Sequence, residues 1–160
     1  MTVTSVEKFP ETHAMVVTAE FAASIEAVWA IWSDPRQLER WWGPPMYPAT
    51  FVGHNLVPDA VFSYYMTSPE GDQYHGWWKI LEVDEGRRIK LEEGFADADG
   101  NKNPDLPVTV MVTELREGVS GTVMQLTSTF ASLEAMEQLI SMGMEEGLVA
   151  AMGQVDDILA

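Results

Sequence analysis

Apolar residues recur every three or four positions over the last stretch of the chain, from Leu133 to Leu159. This spacing places them on one face of an α-helix. Ser132 is suited to cap the first turn, and Glu134 adds a negative charge where the helix dipole favours one. The pattern predicts one long amphipathic helix of about 40 Å. The apolar positions are Leu133, Met136, Ile140, Met144, Leu148, Ala151, Val155 and Leu159.

Two glycines interrupt this helix pattern near its apolar face. Gly143 and Gly147 lie one turn apart, and each costs about 1 kcal/mol relative to alanine inside a helix. Methionines are frequent on the same face, and a methionine side chain adapts its shape to irregular space. Two interpretations therefore stay open: a core helix packed against a sheet, or a helix that covers a cavity.

Alternating apolar and polar residues predict strands in the rest of the chain. Residues 14–21 form the first strand, and two short helices follow at residues 25–32 and 35–41, capped by Ser24 and Asp34. Six further strands are predicted at residues 47–54, 61–67, 73–83, 87–95, 107–116 and 122–130. Short turns between consecutive strands favour an antiparallel sheet. We therefore predict a single α+β domain over residues 1–160, with its core at about residues 14–159.

The phase of each strand indicates which side chains share a face. Glu93 falls in phase with the apolar residues of its own strand. Tyr64, Trp78, Met111 and Met124 fall on the faces that would meet the methionine-rich helix. Such a set could line an apolar pocket with a few polar groups, the usual composition of a ligand site. A filled core would use many of the same residues.

The charge of the chain excludes some classes of partner. The formal net charge is −16, and the nine Lys and Arg residues are scattered, so neither nucleic acid nor an anionic membrane surface is an expected partner. No apolar run approaches the roughly 18 residues that would suggest a membrane span. The chain has no cysteine and no signal-peptide pattern at its N-terminus, and a cytoplasmic location is the simplest inference.

Few side chains suggest catalysis or metal binding. The three histidines have no metal-ligand spacing, and no cofactor-binding motif is present, so we predict neither metal nor cofactor. Glu93, His75 and Glu137 are the candidates for acid–base catalysis, since Glu137 falls within the apolar arc of the long helix. If the two carboxylates met in one cavity, desolvation and repulsion would raise their pKa values. The alternative is that both lie near the rim and reach water.

Several segments carry a family resemblance. They are Asp34-Pro35, Trp41-Trp42-Gly43-Pro44, residues 76–83, residues 94–97 and residues 142–156. Together they resemble the activator of heat shock protein 90 ATPase homologue-like family of the START-like (SRPBCC) superfamily, over residues 14–159. The resemblance implies a helix-grip fold, in which a curved antiparallel sheet wraps round a long C-terminal helix with a cavity between them.

The resemblance also implies a range of functions. Most relatives bind hydrophobic small molecules or lipids, the namesake stimulates a chaperone ATPase, and a minority of the superfamily are cyclases, dehydratases or hydrolases. One segment departs from the family pattern. Many relatives carry Arg-Pro-Gly-Gly before the strand at residues 61–67, and this chain has Val57-Pro58-Asp59-Ala60 there.

The leading hypothesis is non-enzymatic binding of a hydrophobic or lipid-like small molecule under the C-terminal helix. The expected ligand contacts are Trp32, Trp41, Tyr64, Trp78, Glu93, Met111, Met124, Met144 and Leu148. One alternative is a chaperone ATPase co-regulator or protein-interaction module, linked to the stress response. Another is a cyclase- or hydrolase-type enzyme that uses Glu93 with His75 or Glu137. A homodimer is also open.

Overall fold

The alternating apolar residues of the chain lie on one side of a single antiparallel sheet. The computed structural model describes residues 3–160, and within that range it contains eight strands and five helices. The strands are β1 (Val3–Phe9), β2 (Ala14–Phe21), β3 (Ala49–Val52), β4 (Val61–Thr67), β5 (Gln73–Asp84), β6 (Arg88–Phe95), β7 (Thr109–Glu117) and β8 (Thr122–Thr129). They are hydrogen-bonded in the order β1-β2-β8-β7-β6-β5-β4-β3. The predicted α+β helix-grip class is confirmed.

Helices cover the apolar side of this sheet. They are α1 (Ile25–Ser33), α2 (Pro35–Trp41), α3 (Leu133–Ser141), α4 (Met144–Met152) and α5 (Val155–Leu159). The predicted caps are present: the Ser24 hydroxyl accepts a hydrogen bond from the Ala27 N–H, and the Asp34 carboxylate accepts one from the Arg36 N–H. None of the helices within residues 3–160 has the length and hydropathy needed to cross a membrane.

Strand β1 was not predicted from the sequence. It lies at one edge of the sheet and, within residues 3–160, pairs only with β2, with Val6 opposite Val17. Its side chains are mostly exposed or half-buried, so the strand lacks a clear apolar alternation. Lys8 on this strand forms a 2.7 Å salt bridge with Glu145 of α4, which connects the sheet edge to the C-terminal helices.

The C-terminal segment is helical as predicted, but the prediction of one uninterrupted helix over residues 133–159 needs correction. Helix α3 ends before Gly143, whose φ of +94° is in the left-handed region that glycine adopts without strain. A second break at Gly153 separates α4 from α5. The apolar periodicity continues across both breaks, so the pattern alone did not reveal them.

The Trp41-Trp42-Gly43-Pro44 motif connects α2 to the C-terminal helices. A Cβ atom on Gly43 would clash with the Tyr47 carbonyl oxygen, so only glycine fits there. The Gln154 side-chain amide donates hydrogen bonds to the carbonyl oxygens of Gly43 (2.7 Å) and Trp41 (3.3 Å). The motif is therefore fixed to the junction between α4 and α5.

An aromatic cluster forms the part of the core next to this motif. We define it as Trp32, Trp41, Trp42, Phe51, Phe62, Tyr64 and Trp78. The ring centroids of Trp42 and Trp78 lie 5.0 Å apart in a T-shaped contact, and the Phe51 and Tyr64 rings are stacked at the same separation. Each such pair contributes about 0.5–1.5 kcal/mol beyond its buried area. These side chains fill this end of the grip.

Candidate functional site

A cavity of about 270 Å³ remains between the sheet and helices α3 and α4. The sheet and the loop before β7 contribute Tyr64, Met66, Tyr74, His75, Gly76, Glu93, Gly94, Phe95, Pro107, Thr109 and Met111. The helical side contributes Trp42, Pro44, Leu139, Met142, Gly143, Met144, Gly147 and Leu148. Most of these side chains are apolar and a few are polar, which is the composition expected of a small-molecule site.

The cavity opens to solvent at one end. Tyr74 at the start of β5 is 57% exposed, and Met142 at the α3–α4 junction is 55% exposed. Deeper in the cavity, Tyr64 and Met111 are buried. The mouth therefore lies between the start of β5 and the junction that follows α3.

Glycines determine how closely the cavity walls approach. A Cβ atom on Gly76 would lie 2.5 Å from Cζ of Tyr64, so the Tyr64 ring lies directly over this glycine. On the opposite wall, a Cβ atom on Gly147 would lie 3.7 Å from Cγ of Pro44, which is an ordinary contact distance. Gly76 of β5 therefore allows the Tyr64 ring to lie against the backbone of the wall. Gly147 of α4 leaves space beside Pro44.

Glu93 is the acidic side chain of the cavity wall. On β6 it lies opposite Trp78 of β5 and Thr109 of β7, in phase with the buried Leu91. Burial raises the pKa of Glu93 to about 7. The side chain nevertheless keeps some accessible surface, because it borders the cavity. Among the ion pairs within residues 3–160, none involves Glu93.

Two further polar groups lie beside Glu93. Burial raises the pKa of the Tyr64 phenol, and the charge of Glu93 raises it further, so the phenol stays a neutral hydroxyl. The indole N–H of Trp42 partly offsets this rise, although its geometry falls short of a full hydrogen bond. The cavity lining thus combines the Glu93 carboxylate with the hydroxyl-bearing side chains Tyr64, Tyr74 and Thr109, while the Trp42 indole nitrogen is buried within the wall.

The sequence model of one protein family matches residues 22–160 of the chain. That family is described as Activator of Hsp90 ATPase homolog 1-like protein. The chain belongs to this family. No curated protein sequence matches the chain at a significant level.

Solved structures of similar proteins agree with this family membership. The crystal structure of protein Ms6760 from Mycobacterium smegmatis is 44% identical, with a TM-score of 0.92 over 99% of this chain and 97% of that chain. A solution NMR structure from Arthrobacter aurescens is 43% identical, with a TM-score of 0.94 over 99% and 92%. An AHSA1 protein from Silicibacter pomeroyi, 20% identical over 91% and 96% of the two chains with a TM-score of 0.71, shares the fold.

In this member of the Hsp90-activator-like family, five of the nine expected ligand contacts lie together at the cavity. They are Tyr64, Glu93, Met111, Met144 and Leu148. The first three face inward from the sheet, and the last two lie on α4. These five residues lie on the strand faces and the helix face that the sequence pattern indicated. Their role as ligand contacts stays a prediction.

The other four expected contacts, Trp32, Trp41, Trp78 and Met124, lie in the core behind the cavity and are all 0% exposed. The Trp32 indole N–H donates to Sδ of Met124 at 3.3 Å, and the Trp41 indole N–H donates to the Ile31 carbonyl oxygen at 2.9 Å. The sequence indicated the correct face for these residues. It could not indicate that the aromatic cluster fills this part of the grip.

The three candidates for acid–base catalysis do not converge. Glu93 lines the cavity, but Glu137 is exposed on α3, which corrects its placement in the apolar arc. His75 borders the cavity mouth, while its ring packs against Tyr65 with centroids 5.5 Å apart. Tyr65 alternates with the inward-facing Tyr64, so the His75 ring lies on the outer face of the sheet. Within the described residues, no three His, Asp or Glu side chains form a group able to hold a metal.

Sequence reasoning missed several cavity residues. Trp42 and Pro44 belong to the family motif, whose predicted ligand contact is Trp41. Met66 and Phe95 share strand phases with Tyr64 and Glu93, and this signal was available. The position of Pro44 against α4 depends on the tertiary packing and had no signal in the sequence.

Proposed function

We propose that this chain binds a small hydrophobic molecule in the cavity between the sheet and helices α3 and α4. The observation that carries the proposal is a cavity of about 270 Å³ with mostly apolar walls and an open mouth. Protein interiors are otherwise close-packed, with few voids larger than a water molecule. An apolar ligand would remove the exposed walls of this cavity from water, which is favourable in proportion to the area covered.

The size of the cavity favours a compact ligand. The cavity volume is about 270 Å³. A dry cavity of about 150 Å³ already suffices for benzene in another protein. The proposed ligand is therefore a short aliphatic or aromatic molecule rather than a complete two-chain lipid.

The alternatives raised by the sequence stay predictions. Chaperone ATPase activation is the activity in the family description, and it is an activity of the family's namesake. The enzymatic alternative pairs Glu93 with His75 or Glu137, and in the structure the His75 ring packs against Tyr65 while Glu137 is exposed on α3. Ligand binding requires only the cavity itself.

Calorimetric titration with n-octanol tests the proposal, because this neutral molecule has an apolar chain of suitable size. The Leu148→Trp variant would place a larger side chain in the cavity, and we expect its octanol affinity to fall at least tenfold. The matched control is Leu133→Trp, which makes the same change at an exposed position of α3 (Leu133 is 40% exposed) and should bind as the wild type does. Absence of saturable binding to the wild type, or equal affinity of the Leu148→Trp variant, would contradict the proposal.

A further inference from the structure

We propose that the cavity selects hydrophobic molecules that carry a protonated amine, and that the ammonium group pairs with the Glu93 carboxylate. This inference rests on the proposed function, since it names the class of ligand that the same cavity would take. It comes from the balance of charges on the cavity wall rather than from the shape of the cavity.

The wall has one carboxylate and no opposing cation. Among the described residues that line the cavity, none is Lys or Arg. The three salt bridges found within residues 3–160 are Lys8–Glu145, Arg36–Glu39 and Arg88–Glu82, so Glu93 has no ionic partner of its own. A desolvated carboxylate without a partner is costly, and a charge-assisted hydrogen bond from an ammonium group would offset that cost.

The groups next to Glu93 also suit an ammonium ion. Tyr64 is close enough for the Glu93 charge to act on its phenol, and the rings of Trp42 and Tyr64 lie with their centroids 6.4 Å apart. Aromatic faces attract cations through their quadrupole, most strongly where water is excluded. The polar end of the cavity therefore offers a carboxylate and hydroxyl oxygens to one cation, beside the aromatic side chains of the wall.

The same features act against an acidic ligand. A fatty-acid carboxylate near Glu93 would place two negative charges together in a desolvated site. The whole chain adds to this effect, since its formal net charge of −16 repels anions and attracts cations as they approach. The expected order of affinity is thus amine, then neutral alcohol, then carboxylate.

A matched series of ligands tests this order: n-octylamine, n-octanol and octanoic acid, titrated by calorimetry at about pH 8. The three share one apolar chain, so differences in affinity report the head group. At this pH the alkylammonium, with a pKa near that of lysine at about 10.4, stays charged. We expect octylamine to bind about tenfold to a hundredfold more tightly than octanol, the range for a hydrogen bond to a charged group. Octanoate should bind more weakly than octanol.

Two variants assign the preference to Glu93. In Glu93→Gln the ratio of the octylamine and octanol affinities should fall to within about threefold of unity, because the wall charge is gone while the side-chain shape is kept. Glu137→Gln removes one carboxylate from the exposed surface of α3, and it should keep the wild-type ratio.

The outcomes separate this inference from the proposed function. Saturable octanol binding without a preference for octylamine would overturn the amine inference and leave hydrophobic binding in place. A preference that persists in Glu93→Gln, or disappears in Glu137→Gln, would also overturn it, since the charge would then act from elsewhere. Absence of octanol binding altogether would overturn the proposed function as well.

Discussion

The buried position of Glu93 predicts that a single substitution changes how the stability of the protein depends on pH. Burial raises the pKa of this carboxyl from an ordinary value of 4.5 to about 7 in the folded state. The interval between the two values corresponds to about 3 kcal/mol of unfolding free energy. Because the folded state binds this proton more tightly, the contribution of Glu93 is fully favourable below about pH 4.5. This favourable contribution is lost as the pH rises. Above about pH 7 the folded state bears the full cost of the desolvated carboxylate.

The Glu93→Gln variant removes this contribution without changing the shape of the side chain. We expect the variant and the wild type to have similar stability near pH 4, where Glu93 is mostly protonated in both the folded and the unfolded state. Near pH 9 the variant should be more stable by about 3 kcal/mol, because the wild type then holds a desolvated charge. Urea unfolding of both proteins across this pH range measures the difference directly.

The difference between two proteins also isolates Glu93 from other titrating groups. Burial lowers the pKa of His54, so its contribution to stability is lost as the pH falls, opposite in direction to that of Glu93. Both proteins retain His54 and nearly the same net charge, and these effects cancel in the difference. Glu137→Gln is the control for removing one carboxylate from an exposed position. A difference for Glu93→Gln that does not change with pH would show that Glu93 is solvated and would refute this reasoning.

Glycine substitutions give three further predictions, each checked by urea unfolding. Gly147→Ala should stabilise the protein by about 1 kcal/mol, because the site is inside α4 and the added Cβ meets only ordinary contacts; a loss of stability would contradict the described packing. Gly143→Ala should destabilise it by about 1–2 kcal/mol, because alanine is strained at a φ of +94°; a neutral result would indicate a continuous helix. Gly76→Ala should cost about 1–3 kcal/mol and weaken octanol binding, since its Cβ would displace the Tyr64 ring; unchanged stability would contradict the close approach of ring and backbone.

The sequence contained enough information for most of the fold. Apolar alternation predicted the strands Ala14–Phe21 and Val61–Thr67 with the bounds that the structure shows. Capping residues predicted where α1 and α2 begin, as the hydrogen bonds of Ser24 and Asp34 confirm. These signals are local, because they depend on residues a few positions apart. The edge strand β1 lacked such a signal, because its side chains are exposed or half-buried rather than alternately buried.

The candidate site was harder to predict than the fold, because it depends on how deep each side chain lies within the core. Tyr64 and Trp78 both face inward from neighbouring strands, yet Tyr64 borders the cavity and Trp78 is enclosed by the aromatic cluster. Strand phase reports the face of a residue and carries no information on how far it lies from a void. The distance is set by the Trp42–Pro44 segment and by Gln154, which fix the C-terminal helices relative to the sheet.

One departure from the family pattern has a structural counterpart. In the segment where many relatives have two glycines, Asp59 adopts a φ of +72°, in the left-handed region that glycine favours. Its N–H donates to the Ile80 carbonyl oxygen at 2.8 Å, and the N–H of Ile80 donates to the Ala60 carbonyl oxygen at 2.9 Å. Aspartate tolerates this conformation better than most residues, so the turn is kept without glycine.

The methionines of the chain allow the most direct test of the central claim. Three of the methionines that line the cavity, Met66, Met111 and Met144, can serve as reporters, whereas Met124 and Met152 are fully buried in the core away from it. An NMR titration of isotope-labelled methionine methyl groups with n-octanol therefore reports where the ligand binds. Saturable shifts should occur at the three cavity methionines and be much smaller at the two core methionines. Cavity methionines that do not respond, or shifts of similar size at all five, would contradict a hydrophobic binding site under the C-terminal helices.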